Sequence, residues 1–176
     1  VFVSDVYKLG ERLKVTLKDE SGFDADMVFI AVGTKPDSSL ALEAGLKTNE
    51  RGFVKVNAQM ETSVKDVYAV GDIVEIPTLV NSSKTSIQLA GPTQMQSRIA
   101  ADNIFGKNSE YKGVLGSSIL KLFDMSVAVT GFNSQQAKAA GIDFGEVTVS
   151  SVSHATYIPG AEEFSLKVLY EKGTGR

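Results

Sequence analysis

Asp66–Asp72 reads DVYAVGD. Its middle, Val67-Tyr68-Ala69-Val70, has the composition of a short buried strand, which Gly71 breaks and Asp72 follows. On this reading a carboxylate stands at the C-terminal exit of an apolar strand. Open α/β sheets gather their ligands at that position. Taken alone, Asp72 has two readings. An ionised carboxylate is an acceptor-only group suited to fixing a hydroxyl, and a turn aspartate also caps its own backbone.

Composition narrows the field. The chain has 176 residues, room for one domain or two small ones, and 43% of them are apolar, enough to build a core. Eighteen basic and 21 acidic residues give a formal charge of −3. That balance, with no local Lys/Arg cluster, argues against nucleic acid and anionic membrane as partners. No apolar run approaches the roughly 18 residues of a membrane span, and the first residues lack the pattern of a signal peptide. There is no cysteine and only one histidine, His154. Disulfides, cysteine-based zinc sites and thiol chemistry are therefore excluded within this chain. Asn81-Ser82-Ser83 fits the glycosylation pattern and is read as chance.

Outward from the quoted stretch, the pattern alternates between strands and helices. Leu13, Val15 and Leu17 alternate with polar neighbours, and residues 1–7 read as the hairpin partner across Leu9-Gly10-Glu11. Met27–Val32 is an unbroken apolar run, as expected of a strand covered on both faces. Ser38 or Ser39 caps a short helix that Gly45 closes. Val54-Lys55-Val56 is a brief strand, and residues 76–90 read as a long loop. Gly91-Pro92 opens a helix with proline at its first position, Met95, Ile99 and Phe105 form its apolar face, and Gly106 ends it.

The pattern changes after Tyr111. Residues 119–123 and 127–130 alternate around a turn at Asp124. Asn133 and Gln136 have capping-box spacing, and Gly141 ends the helix that they start. Val147, Val149 and Ser151 continue as a strand, then Phe164, Leu166, Val168 and Tyr170 alternate strictly up to a hairpin signal at Lys172–Gly175. A hairpin turn with no returning strand leaves a ladder edge open, which folded proteins avoid. The sequence therefore reads as a piece of a longer chain.

Five stretches in register carry a family resemblance: MVFIAVGTKPDSSL (27–40), METSVKDVYAVGDIVE (60–75), IQLAGPTQMQSRIAADNIFG (87–106), YKGVLGSSILKLFDMSVAVTGFN (111–133) and SHATYIPGAEEFSLKVLY (153–170). Together they resemble the FAD-dependent pyridine nucleotide–disulfide oxidoreductases, in the branch of coenzyme A-disulfide reductases, NADH oxidases and NADH peroxidases. The resemblance implies an α/β and α+β chain in three parts. Residues 1–33 would end the NAD(P)H-binding domain, 34–110 would be the C-terminal segment of the FAD-binding domain, and 111–176 would begin an α+β interface domain that forms a homodimer.

The resemblance also implies roles. Asp72 would accept a hydrogen bond from a ribityl hydroxyl of FAD, with Gly71 permitting close backbone approach. Leu89, Ala90 and Gly91, at a helix start, would face the flavin pyrimidine edge, where positive potential and free N–H groups suit the charge of reduced flavin; an ordinary helix cap is the competing reading. Tyr157 lies in His154–Gly160, similar to the family's H-A-x-Y-Y-P-G, and would serve the partner subunit's active site as a catalytic hydroxyl. Ile158 replaces the family's second tyrosine, which leaves packing at the dimer interface as the other reading of Tyr157. His154 is expected to be structural, and Lys84 and Arg98 to be solvated.

The implied activity is that of a cytoplasmic flavoprotein passing a hydride from NAD(P)H through FAD to a small-molecule disulfide, peroxide or oxygen. The piece alone is expected to be inactive, since it holds neither a redox cysteine nor a glycine-rich nucleotide fingerprint. Two rival readings are a dimerisation module of the same fold without catalysis and an electron-transfer flavin reductase without the cysteine.

Overall fold

The computed structural model describes residues 2–175. It divides into two compact units that meet in sequence between Lys35 and Pro36. The first is a three-stranded antiparallel sheet of β1 (Val3–Leu9), β2 (Arg12–Leu17) and β3 (Gly22–Ala25). The β1–β2 hairpin closes at Leu9↔Arg12, with Gly10 left-handed in the turn, as its sequence signal predicts. Val15 is the buried centre, opposite Val6 on one side and Phe23 on the other. Lys14 and Asp24 are direct cross-strand partners and form an ion pair at 3.1 Å, the pairing that favours opposite charges on neighbouring strands. Gly22 is required for close approach, because a Cβ there would lie 2.5 Å from the Val15 carbonyl oxygen.

Met27–Val32 is not a strand. Phe29, Ile30 and Val32 are 86%, 80% and 90% exposed. An apolar run needs strand neighbours to pair its backbone before it can be a covered strand, and none of the described strands pairs with it.

The second unit begins with helix α1 (Ser39–Glu43), whose first turn is held by the Asp37 carboxylate rather than by Ser38: Asp37 Oδ1 accepts from Ser39 N and Oγ. Three short strands follow in the order β4 (Val54–Lys55), β5 (Val74–Pro77) and β6 (Lys84–Thr85), with β4 parallel and β6 antiparallel to β5. Helix α2 (Ala90–Ile104) packs against this sheet. The core joins Met60, Val74, Ile76, Ile99, Ala100, Tyr111 and Val114, with Tyr68, Ala69 and Val70 half-buried against it. Burying an aliphatic side chain of this size contributes about 1.5–3 kcal/mol. Tyr111 N donates to the Ala58 carbonyl at 2.7 Å, closing the core across a long span of sequence.

Val67–Val70 is not a strand; Tyr68 makes a single bridge to Glu61. The strand lies one step later, at β5, where Val74 and Ile76 are 1% exposed and alternate with half-buried Glu75 and Pro77. Both segments are apolar, but only the later one has a strand beside it: Val54 N donates to the Ile73 carbonyl at 2.8 Å and β4 pairs onward from there. Asp72 therefore sits at the entry of a strand, not at the exit of one.

The remaining elements are two antiparallel ribbons and a short helix. β7 (Ser118–Leu122) pairs with β8 (Met125–Val129), and β9 (Phe144–Val152) pairs with β10 (Glu163–Glu171) in full register from Phe144↔Glu171 to Val152↔Glu163. Helix α3 (Ser134–Ala139) starts with the expected capping box, Gln136 N to Asn133 Oδ1 and Asn133 N to Gln136 Oε1, both at 2.9 Å.

Candidate functional site

The first half of the site is the turn Gly71-Asp72-Ile73, which links the Tyr68–Val70 segment to β5. Gly71 has φ +90°, a conformation that L side chains avoid. Space is not the constraint, since a Cβ there would meet Thr93 Cγ2 only at 3.6 Å. The turn's own closing bond, from Val74 N to the Gly71 carbonyl, is long at 3.3 Å. A shorter one comes from outside the turn: Gly71 N donates to Gln96 Oε1 of helix α2 at 2.7 Å.

Asp72 is exposed, and its carboxylate makes no hydrogen bond or ion pair with any described residue. That separates it from five other short acidic and amide side chains at turns, though not from Asp66 and Asp124. Asp19, Asp37, Asn49, Asn57 and Asn81 each accept from the backbone N–H two residues on, the Asx-turn pattern. Asp72 does not cap its own backbone in this way, so its acceptor lone pairs face outward.

The second half is the start of α2. Leu89, the N-cap, is extended at φ −137°, ψ 139°, and no side chain caps the helix. The first turn holds no acidic residue. Ala90 and Gly91, both exposed, are the first two helical residues. Pro92 is third, not first as the sequence suggests. It still falls among the four N-terminal positions that lack an intrahelical acceptor, so its missing N–H removes no helical bond. Thr93 closes the turn, its Oγ1 donating to the Leu89 carbonyl at 3.1 Å. The uncapped N–H groups of Ala90 and Gly91 and the positive end of the helix suit a ligand edge rich in acceptors or negative charge.

The Gly71–Gln96 bond thus ties the turn that carries Asp72 to the helix that Leu89, Ala90 and Gly91 begin. Tyr157 is elsewhere, in the connection between β9 and β10, with its ring 87% exposed. That connection is tied at its base by Ser153 N to the Glu162 carbonyl at 2.9 Å and by Glu162 N to Ser153 Oγ at 3.2 Å. His154 Nδ1 bonds Ser153 Oγ at 3.0 Å, while Nε2 is buried and without a partner. Lys84 and Arg98 are exposed. Among the described residues no group of three or more His, Cys, Asp or Glu side chains could hold a metal.

Sequence reading missed Gln96. It is 1% exposed, and with Ile99, Ala100 and half-buried Asn103 it forms the inward face of α2 at i, i+3, i+4 and i+7. Met95 and Phe105, expected on that face, are 57% and 84% exposed. Polar residues on an inward helical stripe were the available signal. Asn103 Nδ2 donates to the carbonyls of Gln59, Ile99 and Ser109, stitching the helix end to both flanking loops. Beside Gln96, burial pushes the Tyr111 hydroxyl above its ordinary value, against a weaker opposite pull from the Gln96 amide.

A cleft of about 1010 Å³ lies between the Thr85–Ile87 segment, the β7–β8 ribbon and β10. A smaller cavity of about 120 Å³ opens beside Tyr111 and Lys84. None of Gly71, Asp72, Leu89, Ala90, Gly91 or Tyr157 lines either one. The first is an opening between exposed strand faces, and the site described above is a surface junction of turn and helix.

Comparison with known proteins adds three findings. The family model described as pyridine nucleotide-disulphide oxidoreductase matches residues 1–97. Among curated proteins, the NAD(P)H sulfur oxidoreductase (CoA-dependent) of Pyrococcus furiosus is 35% identical over 94% of this chain and 38% of its own length. A coenzyme A disulfide reductase of Staphylococcus aureus is 33% identical over 94% of this chain and 39% of its own. Among solved structures, an NAD-dependent persulfide reductase from A. fulgidus superimposes with a TM-score of 0.89 and 36% identity, over 97% of this chain and 32% of that one. The chain thus spans well under half the length of these relatives.

Proposed function

The chain belongs to the pyridine nucleotide-disulphide oxidoreductase family, and we propose from this premise that it is part of a flavoprotein oxidoreductase. The cofactors are FAD and NAD(P)H, and the chemistry they supply when bound is transfer of a hydride from the nicotinamide through the flavin to a disulfide, peroxide or oxygen acceptor. Coenzyme A-linked sulfur compounds are the favoured acceptors, because relatives named for that chemistry are 35% and 33% identical to this chain, against 30% for an NADH oxidase.

The protein's part is to hold and orient. Asp72 accepts a hydrogen bond from a ribityl hydroxyl of FAD. Gly71 keeps the backbone low enough for that approach. Leu89, Ala90 and Gly91 present the positive end of α2 to the flavin's pyrimidine edge. The observation that carries this reading is the Asp72 carboxylate: exposed, unengaged among the described residues, and on a turn bonded to a helix whose start is uncapped. A hydroxyl donor and an electron-rich ring edge fit the two halves of that junction.

Residues 1–33 end the NAD(P)H domain, 34–110 belong to the FAD domain, and 111–176 belong to an interface domain that forms a homodimer. The apolar residues left exposed on β7 and β8, among them Ile119, Leu120 and Val127, support an interface there. Tyr157 supplies a hydroxyl to the partner subunit's active site. No described helix is long and apolar enough to cross a membrane, and the proposed location is the cytoplasm.

The deciding experiment is Asp72→Ala in the full-length protein. With no partner lost, stability should change by less than about 0.5 kcal/mol, while the flavin-to-protein ratio after gel filtration falls. An unchanged ratio would overturn the assignment.

A further inference from the structure

Gln96 is an expensive residue to bury. Its side chain is 1% exposed, and Nε2 makes no hydrogen bond, although the amide lies close enough to the Tyr111 hydroxyl to oppose its upward shift. A buried amide donor left unpaired is destabilising, and methionine of similar size would fill the same space without that cost. Packing alone therefore does not explain the residue. What methionine lacks is an acceptor, and the acceptor is used: Oε1 takes the Gly71 N–H at 2.7 Å. That bond also fixes which way the amide points, since the donor is a backbone group.

Two further observations show what the bond does. The Gly71–Ile73 turn is weakly closed from within, by a bond of 3.3 Å, and its first residue is held at φ +90°. On the other side, Gln96 is part of the same continuous helix as Ala90 and Gly91, roughly 9 Å along a rigid rod at 1.5 Å per residue. Asp72 is bonded covalently to Gly71. One side-chain hydrogen bond thus sets the spacing between the carboxylate and the helix start.

We propose that Gln96 is the positioning residue of the flavin site: its Oε1 locks the Gly71–Asp72 turn to helix α2, so that the ribityl-binding carboxylate and the helix N–H groups meet one ligand together. This rests on the flavin reading of Asp72 and deepens it. Gln96 does not touch the cofactor, because its polar atoms are buried behind the turn.

The unpartnered Nε2 makes a specific test available. Glutamate at position 96 keeps an acceptor at Oε1 but exchanges the amide N–H beside Tyr111 for a buried carboxyl oxygen; methionine gives up the acceptor. Gln96→Met, Gln96→Glu and Asp72→Ala would be made in the full-length protein. Each would be measured for the flavin dissociation constant, by fluorescence, and for hydrogen exchange at the Gly71 amide. Gln96→Met should weaken flavin binding about tenfold, the order expected for an unpaired buried donor, and speed exchange at Gly71. Gln96→Glu still accepts from the Gly71 N–H, so exchange there should stay slow and flavin binding should stay with it.

The proposal is overturned if Gln96→Met holds flavin like the parent, or if Gln96→Glu keeps Gly71 exchange slow and still loses flavin. Should the methionine variant fail to fold, the glutamate variant decides alone: flavin binding and slow Gly71 exchange kept or lost together support the lock, and either one lost without the other overturns it. Asp72→Ala separates this inference from the reading beneath it. Flavin lost there but kept in Gln96→Met removes only the positioning role; flavin kept in both removes the site itself.

Discussion

Residues 53–114 form three short strands and one long helix, and residues 118–171 form four longer strands and one short helix, yet only the first stretch holds a substantial core. Phe53, Val54, Met60, Val74 and Ile76 are each at most 2% exposed. In β7 and β8 every residue is exposed, and in β10 all but one are. The alternation of apolar and polar residues is nevertheless cleaner in β10 than anywhere in the core half. Periodicity makes a strand with two chemically distinct faces; it does not supply what covers one of them. In the first stretch the cover is α2, and in the second nothing among the described residues plays that part.

Three variants press on this contrast. Ile76→Ala, in the centre of β5, should cost about 2–5 kcal/mol, the range for an aliphatic truncated in a close-packed interior, read as a fall in the thermal midpoint. A loss under 1 kcal/mol would mean that the 53–114 core is looser than its burial indicates. Leu120→Ser on β7 should change the chain's own stability by only about 0.5 kcal/mol or less. In the full-length protein it should instead weaken self-association in light scattering; no shift in assembly would remove the β7–β8 ribbon from the dimer interface. Tyr157→Phe is expected to be the mildest of the three for the fold, since its ring is in solvent. Turnover of a small disulfide would still fall by roughly 10²-fold, the lower range for a positioned acid–base group. Full activity would assign the ring to packing instead.

What was legible in the sequence follows the same division. The hairpin of β1 and β2, the register-setting alternation of β10 and the Asn133–Gln136 capping box are local patterns, fixed by residues a few positions apart, and each formed as read. The errors are non-local. Val67–Val70 and Val74–Pro77 are equally plausible strands by composition, and only the position of Val54 beside Ile73 chooses between them. Met27–Val32 has the composition of a covered strand, but composition cannot provide a neighbour to pair with. On α2, hydrophobicity favoured Met95 and Phe105 over Gln96, because a scale of side-chain transfer does not register an amide whose oxygen is needed by a backbone N–H on another segment. The candidate site was half legible for the same reason: Asp72 and the Leu89–Gly91 helix start carry motif-like signals, while the residue that ties them together carries none.

The hydrogen bond from Tyr111 to Ala58 bears on the order in which the chain can fold as it is made. β1, β2 and β3 are joined by short turns, and their pairing is complete within the first 25 residues. The core of the second unit cannot close in this way. Met60 waits for Val74 and Ile76, these wait for Ile99 and Ala100, and Tyr111 and Val114 complete the cluster. Contacts between residues distant in sequence form late, because the loop entropy is lost before the contact is gained. On the ribosome, at about 5–20 residues per second, that leaves about 2–7 seconds between the emergence of β5 and that of Val114, during which the apolar face of β5 is uncovered. This interval, rather than any exposed strand of the finished fold, is when a chaperone would find the most to hold.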